Sequence, residues 1–161
     1  MKQKGAQAVE FALVLPFFIL ILFAVLDFGI LVYNKAIITN ASREGARSGA
    51  LLSGTWSPTA VQQIACNYAR NTLISVKSGT STSACAGTKD PVVNVYWGST
   101  ATCPSPSTAA GLPSPAFGDS VALTISYPFS GFSLGSWWTL GTGSSVGSQM
   151  NLTACTQMAH E

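Results

Sequence analysis

Length, composition and charge limit the classes of protein to which this chain can belong. It has 161 residues, of which 47% are hydrophobic and 9% are charged, with a formal net charge of +2. A chain so close to neutral creates no long-range field to attract a nucleic acid, so we expect no nucleic-acid partner. This composition favours a small membrane-anchored protein.

The first predicted element is a long helix that follows a short basic leader. The stretch from Phe11 to Leu26 contains no charge, and the apolar character extends from Ala6 to Val32 if Glu10 and Asp27 are included. About 20 mostly apolar residues can cross a bilayer as a helix, so we expect one membrane pass. A removed signal peptide is the alternative, but its apolar region would be shorter and would end in a small-residue cleavage site.

Glu10 is a carboxylate at the start of this apolar stretch. An acidic residue at the centre of a membrane helix costs about 2.5–3.5 kcal/mol, so Glu10 should be shallow or paired. Cleavage after Gly5 would free the amine of Ala6, one helical turn before Glu10 and on the same face. That ammonium could neutralise Glu10 within one chain or between neighbouring helices. In the alternative, Glu10 lies at the lipid headgroups, near the positive end of the helix.

Beyond the apolar stretch, residues 34–52 predict a continuation of the helix that is rich in small side chains. Within it, Arg43, Glu44 and Arg47 form a charge cluster. Glu44 and Arg47 are three residues apart and can pair, although such a pair contributes only about 0.2–0.5 kcal/mol on an exposed helix. The alternative interpretation is a solvated helix face.

The rest of the chain predicts one helix and three strands. The second helix is expected from Thr59, its cap, to Ile74. Apolar alternation or β-branched content predicts three strands: Val92–Trp97, Val121–Tyr127 and Ser148–Met158. The last two of these strands are expected to pair antiparallel. The predicted fold class is α+β: a long N-terminal membrane-spanning helix that continues into a small extracytoplasmic domain with a short antiparallel sheet and disulfides.

Two further segments of this domain have distinctive compositions. Gly98–Ser120 holds four prolines among small residues, which predicts an irregular loop outside the packed core. Four aromatic residues follow the second strand in a Gly- and Ser-rich context. They are expected either to form an exposed contact surface or to fold back over a small core: Phe129, Phe132, Trp137 and Trp138.

Four cysteines lie beyond the apolar stretch: Cys66, Cys85, Cys103 and Cys155. An even number in a small domain favours disulfides in an oxidising compartment, which places this domain outside the cytoplasm. The absence of a C-x-x-C motif and the single histidine argue against a zinc site. Three pairings are open. We favour Cys85 with Cys103, which bracket a predicted strand, and Cys66 with Cys155.

The sequence shows no catalytic constellation. It has one histidine, no paired carboxylates at helical spacing outside the apolar region, no glycine-rich phosphate loop and no G-x-S-x-G motif. We therefore expect neither enzymatic activity nor a cofactor.

The N-terminal residues resemble one known family. The residues that carry the resemblance are Gly5-Ala6-Gln7-Ala8-Val9-Glu10-Phe11-Ala12-Leu13-Val14-Leu15-Pro16, then Leu26-Asp27-Phe28-Gly29, Tyr33 and Thr39-Asn40-Ala41-Ser42-Arg43-Glu44-Gly45-Ala46-Arg47. They are similar to the N-terminal module of TadE-like proteins, the minor pseudopilins of bacterial tight-adherence (Flp-type, type IVb) pilus systems. A weaker similarity recurs at Val121–Phe129 and from Leu152 to Glu161, and the middle of the chain has no matching motif.

The resemblance implies a structural role in assembly of an adhesive pilus. A prepilin peptidase would cut after Gly5, so that the mature chain begins at Ala6 with Glu10 as its fifth residue and with the charge cluster as a subunit contact. Implied partners are that peptidase, a major Flp-type pilin, a second pseudopilin, the inner-membrane assembly platform and the lipid bilayer. The N-terminus would lie in the cytoplasm and the later domain outside the bacterial inner membrane.

The corresponding division of the chain is a leader at residues 1–5, a helix at 6–52 and an outer domain at 53–161. The alternative function is an unprocessed, single-pass surface-binding module that uses the stretch from Phe129 to Trp138.

Overall fold

The computed structural model describes residues 4–51, 56–74, 91–106, 114–129 and 150–160. These ranges contain two helices and three strands. The elements are α1 (Lys4–Leu51), α2 (Pro58–Arg70), β1 (Val92–Trp97), β2 (Ser120–Phe129) and β3 (Met150–Ala159). They confirm the predicted α+β class, with one long helix followed by a short antiparallel sheet.

Helix α1 is a single element of 48 residues that continues through Pro16. At 1.5 Å per residue it is roughly 70 Å long, more than twice the hydrocarbon thickness of a bilayer. Its first half is exposed, whereas its second half packs against the rest of the protein. The buried positions of that half recur every three or four residues and form one helix face: Asn34, Ile38, Ala41, Ser42, Gly45, Ala46, Gly49 and Ala50.

The three strands form one antiparallel sheet in the order β1-β2-β3. Val93 pairs with Ile125 across the first interface, and Ile125 pairs with Ala154 across the second. The predicted antiparallel pairing of the last two strands is confirmed. β2 extends one residue earlier and two residues later than its alternating pattern suggested.

The core lies between the sheet and the two helices. Val121, Leu123 and Ile125 of β2 are fully buried, as are Val61 and Ala65 of α2. These residues belong to one cluster that also contains Ile38, Ala41 and Ala46 of α1. The buried face of residues 34–51 is therefore part of the core of the outer domain, although these residues are continuous with the apolar helix. The predicted domain division at residue 52 stays a prediction.

Helix α2 differs from its prediction at both ends. It begins at Pro58 rather than Thr59, with Ser57 at the cap position, and it ends at Arg70. Proline fixes the backbone angle that the first helical position needs, so the helix begins one residue before Thr59. The Thr59 hydroxyl instead contacts the Ser57 hydroxyl at 2.6 Å.

The segment after β1 is more closely packed than its proline content suggested. Ala101 is fully buried and Pro115 is buried. The Gly98 amide donates to the Ser120 carbonyl at 3.0 Å, which extends the contact between the end of β1 and the start of β2. The prediction of a loop outside the core was therefore wrong for these residues, because nearby backbone pairing draws the segment onto the sheet.

Candidate assembly helix

The first half of α1 presents an unusually apolar surface. α1 is the one helix, among the residues that the structure describes, that is long and apolar enough to cross a membrane, and none of its most apolar stretch is buried. Phe11, Phe17 and Phe28 each expose about two thirds or more of their surface. Apolar surface on this scale is stable only against lipid or other apolar helices, so this half of α1 is consistent with a membrane anchor.

The predicted processing site lies at the beginning of this helix. Gly5, Ala6 and Glu10 are all within α1, and the Glu10 side chain is exposed. Because α1 is already helical at Ala6, a chain that began there would place its amine one turn from the Glu10 carboxylate. The helix thus provides the spacing that the predicted pairing requires, while the cleavage itself stays a prediction.

The segment Arg43-Glu44-Gly45-Ala46-Arg47 is divided between two faces of α1. Gly45 and Ala46 are buried against the sheet and α2, whereas the three charged side chains are exposed. None of these three makes a hydrogen bond or an ion pair within the described part of the chain. The Glu44–Arg47 pair considered from their spacing is therefore not formed, and the charge cluster (Arg43, Glu44 and Arg47) faces away from the core.

Gly45 allows α1 to approach both β2 and α2 closely. A Cβ atom at this position would lie 2.5 Å from Leu123 Cδ1 and 2.8 Å from the Ala65 Cβ. A Cβ atom at Gly49, one turn later, would lie 3.0 Å from a methyl group of Val121. Sequence reasoning did not assign a packing role to these glycines, although their spacing of four residues places them on one helix face.

Asn34 fastens the packed half of α1 to the segment that follows α2. Its side chain is fully buried; the amide nitrogen donates to the Ile74 carbonyl at 2.7 Å, and the amide oxygen accepts from the Ile74 N–H at 3.0 Å. Both polar functions of the side chain are thus satisfied by one backbone residue. Sequence reasoning missed this contact, and the only available signal was the position of Asn34 one turn before Ile38 on the buried face.

Two further polar contacts join α1 to β3. The Lys35 ammonium donates to the Thr153 carbonyl, and the Ser42 and Thr156 hydroxyls are 2.7 Å apart. These contacts fix how the helix lies across the sheet.

The structure corrects the favoured disulfide pairing. Cys103 is bonded to Cys155, with a Cα–Cα distance of 5.9 Å. The pairings of Cys85 with Cys103 and of Cys66 with Cys155 were therefore wrong. Antiparallel pairing puts Cys155 of β3 opposite Thr124 of β2, and the segment after β1 brings the half-buried Cys103 within reach of it. Cys66 is also disulfide-bonded, and Cys85 lies outside the described residues.

Phe129, the first residue of the predicted aromatic contact surface, is not part of an exposed surface. Phe129 is 6% exposed and belongs to the core, where it is the last residue of β2. Of the two alternatives for this side chain, packing over the core is therefore the observed one. Phe132, Trp137 and Trp138 lie outside the described residues.

The described residues contain no group of three or more histidine, cysteine or acidic side chains that could hold a metal ion. The polar contacts described above join backbone amides and carbonyls, hydroxyls, the Asn34 side-chain amide and the Lys35 ammonium. These groups hold elements together, and the exposed apolar helix and its charge cluster remain the features suited to binding another molecule.

Comparison with known proteins assigns the N-terminal segment. The comparisons with curated proteins and with solved structures gave no match. The family model described as TadE-like protein matches residues 5–47, which begin at the predicted cleavage site and end at the last residue of the charge cluster. The exposed half of α1 and most of its packed half are thus TadE-like.

Proposed function

We propose that this chain is a pilin-like structural subunit that takes part in the biogenesis or assembly of a tight-adherence pilus after cleavage by a prepilin peptidase. The observation that carries the proposal is the position of the TadE-like segment. It comprises an exposed apolar helix and the first three quarters of the helix face that packs against the outer domain.

The exposed half of α1 can serve two successive environments. In the bacterial inner membrane it is surrounded by lipid, and in a pilus its apolar surface is covered by neighbouring helices, so the same side chains satisfy both states. The packed half of α1 makes the outer domain move with the helix. The partners in this proposal are the prepilin peptidase, a major Flp-type pilin, a second pseudopilin and the inner-membrane assembly platform.

Glu10 has a defined role in this proposal. Once Ala6 is the first residue, its ammonium and the carboxylate of Glu10 on an adjacent helix can pair when the two helices are axially offset by about one turn. A charged pair within an apolar interface fixes the register of the helices, because other offsets leave a charge unpaired in a medium of low dielectric constant.

The first experiment determines the N-terminal residue of the protein isolated from the membranes of its native cells by mass spectrometry. We expect the mature chain to begin at Ala6 and a Gly5→Leu variant to retain Met1. A wild-type chain that begins at Met1 would contradict the proposal and would favour an unprocessed, single-pass membrane module that binds a surface.

The second experiment replaces Glu10 by Gln, which keeps the size of the side chain and removes its charge. We expect normal recovery in the membrane fraction and normal cleavage, with pilus production and surface adhesion reduced about tenfold, because the register-setting pair is lost. Asp27→Asn is the matched control, since it removes a carboxylate elsewhere on the same helix and leaves Glu10 unchanged. Wild-type pilus production by the Glu10→Gln variant would contradict the assigned role.

A further inference from the structure

One face of the packed half of α1 points away from the sheet and α2. It is made of side chains that are all exposed: Tyr33, Ala36, Asn40, Arg43, Glu44, Arg47 and Leu51. Because the described part of the outer domain packs on the opposite side of the helix, a second helix can approach this face without meeting that part of the domain. The apolar half of α1 leads directly into it.

Among the described residues, the charged side chains on this face have no ion-pair partner. Arg43 and Arg47 are four residues apart and therefore lie side by side, where two positive charges repel each other. Along the helix axis Glu44 lies between the two arginines, but among the described residues it forms no ion pair with either of them. A carboxylate supplied by another molecule would relieve the repulsion of the two arginines, and an arginine from that molecule would satisfy Glu44.

The helical positions of these residues make the face complementary to itself. At about 100° per residue, Glu44 lies roughly 40° to one side of Asn40, whereas Arg47 and Arg43 lie roughly 20° and 60° to the other side. When two parallel helices are related by a two-fold axis through this face, the Glu44 side of each helix meets the arginine side of the other. Glu44 then lies roughly 1.5 Å above one arginine and 4.5 Å below the other, without any axial offset.

Membrane anchoring favours the parallel orientation. If the apolar half of α1 spans a bilayer, as the proposed function on which this inference rests requires, every copy of the chain crosses in the same direction. Two neighbouring copies therefore present α1 in parallel, and the antiparallel arrangements available to a soluble helix are excluded. The bilayer also holds the copies at a high local concentration, so that a modest contact can form.

We propose that two copies of this chain pair in parallel through the outward face of α1, with Glu44 of each copy between Arg43 and Arg47 of the other. The pair is a two-fold unit with an outer domain on each side. This contact is separate from the register-setting role of Glu10, since it lies more than 30 residues further along the helix.

The contact is tested by cysteine cross-linking in membranes. In the parallel pair Asn40 lies close to the two-fold axis, so we expect an Asn40→Cys variant to give a disulfide-linked dimer on mild oxidation. Gln63→Cys places a cysteine on the exposed side of α2 and should remain monomeric. Equal dimer yields from the two variants would overturn the proposal.

Charge reversal identifies the occupant of the face. In the Asn40→Cys background, Glu44→Arg, or Arg43→Glu together with Arg47→Glu, should lower the dimer yield about fivefold, because like charges then meet across the pair. The triple reversal of Arg43, Glu44 and Arg47 restores complementarity only if both partners carry it. We therefore expect it to recover the dimer yield, and failure to recover it would overturn pairing between copies of this chain.

The outcomes of this experiment are distinct from those for the proposed function. Loss of the dimer in a chain that is cleaved at Gly5 and recovered in the membrane would overturn the pairing alone. A chain that begins at Met1 but shows charge-dependent cross-linking would overturn the pilus role and leave the pairing supported. Because the three charged side chains are exposed, the variants should retain the fold, which formation of the Cys103–Cys155 disulfide checks.

Discussion

At the scale of single residues, a buried polar side chain holds the packed half of α1 in place. Asn34 has no exposed surface, and its amide forms two hydrogen bonds with the backbone of Ile74. A buried amide without such partners would be strongly unfavourable. The bonds therefore specify which part of the chain after α2 lies against the helix.

Replacing Asn34 by Ala should destabilise the outer domain. Both backbone groups of Ile74 would lose their partner, and an unsatisfied buried group costs about 1–3 kcal/mol. The free energy of unfolding is measured by urea titration of the detergent-solubilised protein. Asn67→Ala is the control, since Asn67 is exposed on α2. Equal unfolding midpoints for the two variants would show that the Asn34 contacts are not stabilising.

The role of a residue can be predicted from the sequence when it depends on neighbouring residues in the chain, and it is missed when it depends on a distant segment. Glu10 stands out in the sequence because a carboxylate beside an apolar stretch is anomalous wherever the chain folds. Asn34 does not stand out, because an asparagine near the end of an apolar stretch is equally compatible with a solvated position. Its burial depends on Ile74, which is 40 residues away in the sequence.

At the scale of elements, the approach of α1 to the sheet depends on small side chains. The buried face of its second half contains glycine, alanine and serine at most positions, and Gly45 faces both Leu123 and Ala65. Such side chains bring the helix backbone close to β2 and α2, so that a small domain can be packed without voids.

A Gly45→Ala substitution should weaken this packing. Although alanine favours a helix, its Cβ atom would overlap with Leu123 and Ala65, so we expect a loss of about 1–3 kcal/mol in stability. Gly29→Ala is the matched control in the same helix, since an added Cβ there meets nothing within 4 Å. The midpoint of thermal unfolding is measured for both variants and for the wild type, and we expect it to fall for Gly45→Ala alone. Equal stability of Gly45→Ala and the wild type would show that the helix can shift without cost.

Periodicity predicted the elements well because it reflects which face of each element is apolar. The odd positions of β2 from Val121 to Phe129 are all buried, as their alternation indicated. The even positions were less predictable, since Ala122 is also fully buried. Ala122 lies opposite Gln157 on β3, and the segment after β1 is attached there by the Cys103–Cys155 disulfide and by a hydrogen bond from the Cys103 amide to the Gln157 side chain.

At the scale of the whole molecule, one disulfide ties that segment to the sheet. Cys103 and Cys155 are 52 residues apart in the sequence. In the chain-entropy model, closing a loop of this length stabilises a protein by about 4 kcal/mol, a large fraction of the stability of a small domain.

A variant with Cys103 and Cys155 both replaced by Ser should therefore unfold at a much lower urea concentration than the wild type, with a loss of roughly 2–5 kcal/mol. Ser105→Ala serves as the control, because Ser105 is an exposed residue of the same segment. Mass spectrometry of unreduced proteolytic fragments should recover Cys103 linked to Cys155. Recovery of Cys103 linked to Cys85 would contradict the pairing.

The sequence by itself determined the long apolar helix, the antiparallel strands and the TadE-like character of the N-terminal segment. These features depend on local composition, on periodicity and on motifs of neighbouring residues. The tertiary structure alone decided the pairing of Cys103 with Cys155, the burial of Asn34 and Phe129, and the division of the Arg43–Arg47 segment between the core and an exposed face. Each of these depends on which elements meet across long separations in sequence, and that is set by how the sheet packs across α1 and α2.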